Sequence, residues 1–381
     1  LVRRNSMKNV SVMIKPASSL CNLQCKYCFY SDVSGRREIP SYGIMQQDTM
    51  EKMLHVLESG LDPGDHITFG FQGGEPAMAG LEFYRKFTGI TAGWDERLMV
   101  EYAFQTNGVL LDDEWCGFLK NNRFLVGISF DVLRGCHDAV RTDRSGKKTY
   151  QQVYDAIKRM ERYEVEYNVL CTLTNEIAGK PGRVWENMLR MDLKFVQFTP
   201  CLDELDHPGE SSYALTPDRF ASFYHELFQY WLKDYKEGKY RSVKFFDDVV
   251  NYLAFGKPTC CGMGGHCYPQ LVIEADGSAY PCDFYCLDKY CLGNISDTSV
   301  QQMMTSAAMK EFLQRPHKQP ELCGTCGFSR FCGGGCKRMQ REVCCSGTDS
   351  RCGYRLFLQA NIKELEQIAE AERRWLCKNH A

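Results

Sequence analysis

The sequence predicts an α/β protein, an incomplete parallel (β/α)6 barrel followed by a smaller cysteine-rich region. Short apolar runs alternate with amphipathic helical stretches through the first 200 residues, the pattern of repeated β/α units. Several of these runs end in polar or glycine-rich strings, as strands do at the working end of a parallel barrel. Most of the 21 cysteines fall from Cys260 onward, where the composition changes. The expected division is a barrel over residues 1–235 and a cysteine-rich domain with a C-terminal helix over 236–381.

The first strand is Val10-Ser11-Val12-Met13-Ile14-Lys15-Pro16. Residues 46–60 follow as a helix, because Met50, Met53, Leu54 and Leu57 share one face at 3.6 spacing. His66–Gln72 reads as the second strand and runs into Gly73-Gly74-Glu75-Pro76. Leu81–Phe87 is helical and Leu98–Phe104 extended, ending in Gln105-Thr106-Asn107-Gly108, which also has the form of an Asx turn. Helix Asp112–Lys120 leads to strand Phe124–Asp131, where alternation turns Ser129 and Asp131 toward a barrel lumen. Helix Thr149–Tyr163, strand Tyr167–Leu173 and strand Phe195–Pro200 complete the series. Leu202–Tyr213 is polar and reads as a loop. Thr216-Pro217 caps a long helix whose aromatics (Phe220, Phe223, Tyr224, Phe228, Tyr230 and Trp231) are read mainly as core. Farther on, Leu271–Cys282 has the pattern of a hairpin, with Asp276-Gly277 as its turn.

Composition narrows the function. At 381 residues, 44% apolar and 25% charged, the chain is long and apolar enough for a large core. A net charge of −2 gives no electrostatic case for nucleic acid or an anionic membrane. No apolar run approaches the ~18 residues of a membrane span. The basic start Leu1–Met7 lacks an apolar signal core. So many cysteines in a long chain without a signal segment point to the cytoplasm, to metal, and to an anaerobic host.

The chemistry centres on Cys21-Asn22-Leu23-Gln24-Cys25-Lys26-Tyr27-Cys28. Three thiols within eight residues, on a loop after a strand, suit a [4Fe–4S] cluster with one iron left open. A zinc site would show paired C-x-x-C units and a fourth ligand close by. With Tyr27 before the last cysteine, the motif resembles that of the radical S-adenosylmethionine (SAM) enzymes. That resemblance implies a reduced cluster that cleaves SAM to a 5′-deoxyadenosyl radical. Gly73-Gly74-Glu75-Pro76 resembles the family's Gly-Gly-Glu-Pro motif, which implies that Gly73, Gly74 and Glu75 help hold SAM. Ser129 falls where relatives contact SAM's ribose or carboxylate. In many relatives glycine follows the aspartate of that strand; here it is Val132. His137-Asp138-Ala139-Val140-Arg141 resembles the family's His-x3-Arg element, which makes Arg141 a clamp for the SAM carboxylate. On spacing alone, Arg141 equally suits a surface ion pair with Asp138 or Asp143.

The later cysteines resemble the SPASM extension of these enzymes, which binds two further [4Fe–4S] clusters, making three in all. The resemblance assigns Cys261, Cys267, Cys282 and Cys336 to one cluster and Cys323, Cys326, Cys332 and Cys352 to the other. Spacing alone leaves structural zinc open. Cys260, Cys286, Cys291, Cys344 and Cys345 are surplus, and Cys344 or Cys345 is an alternative to Cys352. Cys116, Cys136, Cys171, Cys201 and Cys377 read as ordinary core thiols.

Several strings together resemble the anaerobic sulfatase-maturating enzymes: Ile14–Ser19, Tyr42–Met45, Phe71–Pro76 and Tyr280–Tyr285. That implies oxidation of a Cys or Ser in a sulfatase precursor to Cα-formylglycine without oxygen. It also implies two partners, a peptide or unfolded protein substrate and an electron donor such as flavodoxin or ferredoxin. Asp283, next to a cluster ligand, is the candidate base, with Asp247 and Asp248 as alternatives. The competing readings are a SPASM enzyme that crosslinks a ribosomal peptide and a zinc-bound structural protein.

Overall fold

A computed structural model describes residues 8–94, 97–207, 209–314, 321–345 and 351–379. The basic stretch Leu1–Met7 and Pro208 of the expected loop lie outside them. The chain forms two compact units. One comprises residues 1–129, 141–168 and 269–315; the other comprises 130–140, 169–268 and 316–381.

In the first unit, strands β1 (Asn9–Ile14), β2 (His66–Phe71), β3 (Met99–Thr106) and β4 (Leu125–Ser129) pair in parallel and in sequence order. Period-2 alternation explains why they bury one face: Ile67, Phe69 and Phe71 of β2 are fully buried, as are Val12 and Ile14 of β1. Helices Gln47–Ser59, Leu81–Ala92, Asp113–Asn121 and Tyr150–Arg162 connect or follow them. The first buries Met50, Met53, Leu54 and Leu57, the face that the sequence spacing marks. The Asp112 carboxylate caps the third by accepting from the Trp115 amide at 2.9 Å, worth about 1 kcal/mol. Phe69, Phe71, Tyr84, Phe87 and Phe104 interlock edge to face in the core.

Strand β5 (Tyr167–Leu173) begins in the first unit and ends in the second, where it pairs in parallel with β6 (Phe195–Pro200). Strand β7 (Ser242–Val243) adds to β6. Thr216 caps helix Pro217–Lys236 by accepting from the Arg219 amide. The helix aromatics are core as expected, except Tyr230, which is 38% exposed. Helix Lys244–Phe255, absent from the sequence expectation, packs with it and with the long C-terminal helix Gly353–Asn379 through Phe246 and Phe357.

Other differences have local causes. The helix expected to stop at Phe87 runs to Ala92, because Thr88 and Thr91 continue the buried face that Tyr84 and Phe87 begin. Helix Phe29–Gly35 follows the cysteine triplet directly, too short to show periodicity. The expected hairpin forms as β8 (Leu271–Ile273) and β9 (Ser278–Tyr280), with β10 (Gly293–Asn294) beside it. Unforeseen was its attachment: β8 pairs in parallel with β1, which brings the segment around Cys282 into the first unit.

Candidate active site

The triplet loop leaves β1 through two turns, with Ser18 N donating to Lys15 O and Leu20 N to Ala17 O. Backbone amides then address the sulfurs of Cys21 and Cys28. Leu23 N donates to Cys21 Sγ at 3.4 Å, and Ser31 N to Cys28 Sγ at 3.4 Å, making Cys28 the N-cap of helix Phe29–Gly35. Asn107 at the end of β3 reaches the same loop, its Nδ2 2.8 Å from Asn22 Oδ1 and 3.8 Å from Cys21 Sγ. Burial pushes the Cys21 thiol up to about 12, with Glu75, Cys25 and Cys28 adding repulsion. Thiolates crowded this way call for bound positive charge, which iron supplies. The amide donors and the crowding therefore fit a cluster. Among the described residues, no group of three or more Cys, His, Asp or Glu converges to hold a single metal ion. Each thiolate of a cluster bonds a different iron, so its sulfurs stand apart.

Gly73 and Gly74 are dictated by contact with that loop. A Cβ on Gly74 would lie 2.1 Å from Leu20 O, and one on Gly73, at φ +122°, 2.8 Å from Ser18 O. Gly74 N donates to Ser18 O at 2.8 Å and Glu75 N to Leu20 O at 2.7 Å. The Glu75 side chain, 1% exposed, is occupied by protein donors. Its Oε1 accepts from Ala77 N and Thr106 Oγ1, and its Oε2 from Asn107 N at 2.7 Å. Burial raises its pKa against these donors. The carboxylate thus ties the ends of β2 and β3 together. Asn107 also makes the Asx turn, accepting from Val109 N at 3.0 Å.

Ser129 ends β4 and accepts from Gln105 Nε2 at 3.1 Å. Arg141 is buried rather than on the surface, and its Nη1 donates to Tyr27 Oη at 3.0 Å. Asp143 instead closes its own loop, accepting from Ser145 and Lys147 amides. Tyr27 and Arg141, distant in sequence, thus meet beside the triplet.

Asp283 opens a helical turn immediately after Cys282. Phe284 in that turn packs edge-on against Phe29, centroids 4.9 Å apart, so the turn lies against the helix that follows the triplet. Lys15, just past the end of β1, makes an ion pair with Asp283 Oδ1. Its ammonium also sits 3.3 Å from the centroid of the Tyr30 ring. Tyr30 donates to Glu274 Oε1, which pairs with Arg37 Nη1 at 2.6 Å, both side chains fully buried. Burial works to lower the Lys15 pKa, but Asp283, Tyr30, Cys286 and Glu274 hold it above the ordinary lysine value. The alternatives Asp247 and Asp248 are engaged in the second unit. Asp247 accepts from Tyr240 Oη, and Asp248 pairs with Lys244 and accepts from Thr259 Oγ1.

Lys15, Tyr30, Arg37 and Glu274 escaped sequence reasoning. The available signal was Lys15 itself, a charge ending an apolar strand, which needs a partner if buried.

In the second unit, Cys323 and Cys332 lie close enough to Cys352 and Cys326 for nearby thiolate charge to raise their thiol pKa values. Cys344 and Cys345 form a buried cluster with Cys352, and the Cys344 thiol lowers the Cys352 pKa. Cys261 and Cys336 lie beside Cys267 in the same sense. Among the thiols read as core, Cys116, Cys136, Cys171 and Cys201 are buried. Cys377 is exposed, on the outer face of the C-terminal helix.

Residues 16–192 match the family model of the radical SAM superfamily, and residues 261–327 match that of an iron–sulfur cluster-binding domain. Fold and motifs define a radical SAM enzyme, an oxidoreductase with a partial α/β barrel and a SPASM extension, whose class uses SAM and iron–sulfur. A cysteine-type anaerobic sulfatase-maturating enzyme of Clostridium novyi is 37% identical, over 96% of this chain and 98% of its own. That of Clostridium perfringens is 40% identical, over 87% and 90%. A serine-type counterpart from Bacteroides thetaiotaomicron is 28% identical, over 87% and 83%. A solved structure of native anSMEcpe with bound AdoMet and Cp18Cys peptide superposes with a TM-score of 0.87 at 37% identity, covering 95% of this chain and 99% of that one. The chain belongs to the anaerobic sulfatase-maturating enzymes. No helix among the described residues is long and apolar enough to cross a membrane.

Proposed function

We propose that this chain oxidises a cysteine of a sulfatase-derived peptide to Cα-formylglycine. The observation that carries the reading is the Asp283 turn, packed through Phe284 against the helix that follows the cysteine triplet. A cysteine target is favoured because the cysteine-type relatives are markedly more similar than the serine-type one. A peptide substrate is supported by the peptide bound in the similar structure.

In this reading Cys21, Cys25 and Cys28 hold a [4Fe–4S] cluster with one open iron. Gly73 and Gly74 let the loop pack closely, and Glu75 and Asn107 fix it. Ser129, Tyr27 and Arg141 would hold SAM, Arg141 as a candidate partner for its carboxylate. Cys261, Cys267, Cys282 and Cys336 hold one auxiliary cluster; Cys323, Cys326, Cys332 and Cys352 hold the other. When bound, these groups would supply hydrogen-atom abstraction at the substrate Cβ and an acceptor for the remaining electron. Asp283 accepts the thiol proton, leaving a thioaldehyde. Water then hydrolyses it to the aldehyde, with release of hydrogen sulfide. We also propose the division at residues 235 and 236, a low-potential donor such as flavodoxin or ferredoxin, and a cytoplasmic location, where thiols stay reduced.

The test is anaerobic incubation with SAM, dithionite and a Cys-x-Pro-x-Arg peptide, read by mass. Loss of two hydrogens with exchange of sulfur for oxygen is expected. Loss of two hydrogens alone, persisting after hydrolysis has had time to finish, points to a crosslink instead. Asp283→Asn should release deoxyadenosine but no aldehyde; full aldehyde yield removes Asp283 from the role.

A further inference from the structure

We propose that Lys15 is a positioning residue for Asp283: gripping Oδ1, it fixes the carboxylate so that Oδ2 is the oxygen offered to the substrate thiol. This rests on the reading of Asp283 as the base. Among the described residues, Lys15 is the only hydrogen-bond partner of the Asp283 side chain. Asp283 retains 14% side-chain exposure and Lys15 none, so the carboxylate is accessible while its anchor stays inside the protein.

Lys15 is suited to this because it cannot move. A lysine side chain ordinarily samples many rotamers. Here the ammonium is caught between a carboxylate and the face of the Tyr30 ring. Tyr30 is itself held by Glu274, and Glu274 by Arg37. The Lys15 backbone is fixed as well, its amide donating to Ile273 O at 2.8 Å. The position of Asp283 is therefore set by β1 and β8, not by its short helical turn. That turn has no side-chain cap of its own. A base displaced by about 1 Å loses on the order of a hundredfold in rate, so the anchor matters to turnover.

The experiment compares Lys15→Met, Asp283→Asn and the double variant in reconstituted enzyme. Formylglycine formed per deoxyadenosine released is the first readout. Lys15→Met is expected to lower that ratio about tenfold or more, with deoxyadenosine release and iron content close to wild type. A second readout needs neither SAM nor substrate. Amide hydrogen exchange at Asp283–Tyr285 should speed up in Lys15→Met, with protection elsewhere in β1 and β2 retained. The double variant, read by amide exchange, should exchange no faster at Asp283–Tyr285 than Asp283→Asn alone, because the anchor then has nothing to hold. A wild-type ratio in Lys15→Met, beside an inactive Asp283→Asn, overturns the positioning role and leaves the base intact. A wild-type ratio in Asp283→Asn overturns the base instead. Exchange at Asp283–Tyr285 that is faster in the double variant than in Asp283→Asn also overturns the inference. Should Lys15→Met fold poorly, the double variant, which buries no unpaired charge, still carries the exchange comparison with Asp283→Asn.

Discussion

Replacing Gly74 by alanine should damage the site of the cysteine triplet. The new Cβ would stand 2.1 Å from Leu20 O, 2.7 Å from Leu20 C and 2.8 Å from Ser19 C, all backbone atoms. A carbon and a carbonyl oxygen settle no closer than about 3.3 Å, so the segment before Cys21 must retreat by roughly 1 Å. It cannot do so freely. The amides of Gly74 and Glu75 bond Ser18 O and Leu20 O at 2.8 and 2.7 Å, and losing either costs about 1 kcal/mol. With the overpacking itself at about 1–3 kcal/mol, the total destabilisation comes to about 3 kcal/mol. The control is Gly89→Ala, in helix Leu81–Ala92, where nothing lies within 4 Å; it should gain up to about 1 kcal/mol. Denaturant unfolding reads stability, and iron and sulfide per chain after anaerobic reconstitution read the site. Gly74→Ala should lose stability and about one cluster's share of iron. If it matches Gly89→Ala in both, the close approach does not govern the loop and the reasoning is refuted.

Other consequences follow from the same geometry. Cys25→Ala should abolish deoxyadenosine release under reductant, and undiminished release would reject the triplet as the cluster site. Glu75→Gln sets an amide donor against the donors Ala77 N, Thr106 Oγ1 and Asn107 N, costing about 1–3 kcal/mol of unfolding free energy; unchanged unfolding would remove its role in tying β2 to β3. Asp65 accepts from the amides of Lys8 and Asp62, which hold its pKa below the usual carboxylate range. Because the folded value is the lower one, its contribution is present above about pH 4 and fades as the pH falls further. Asp65→Asn should therefore flatten the acid limb of the stability curve, and an unchanged limb would count against it.

Much of this architecture was legible because its determinants are local. Alternation in His66–Phe71 and Tyr167–Leu173, the Thr216 cap and the Asp276-Gly277 turn each depend on a few neighbouring residues. The missed elements lacked such a signal. Helix Phe29–Gly35 is two turns long, and β7 spans two residues. Glu75 shows the same limit at the site. Its motif was readable, but its three donors come from the turn that follows and from the end of β3.

What the sequence determined alone was the chemistry on offer: three thiols at a spacing that suits a cluster, a glycine pair after the second strand, and a strand–helix rhythm that makes a parallel sheet. The tertiary structure decided which charges meet. Lys15 and Asp283 lie 268 residues apart, Arg37 and Glu274 237 apart, and Tyr27 and Arg141 114 apart. The physical reason is that a buried charge must find a partner wherever the packed chain brings one, and no local pattern records that partner's address.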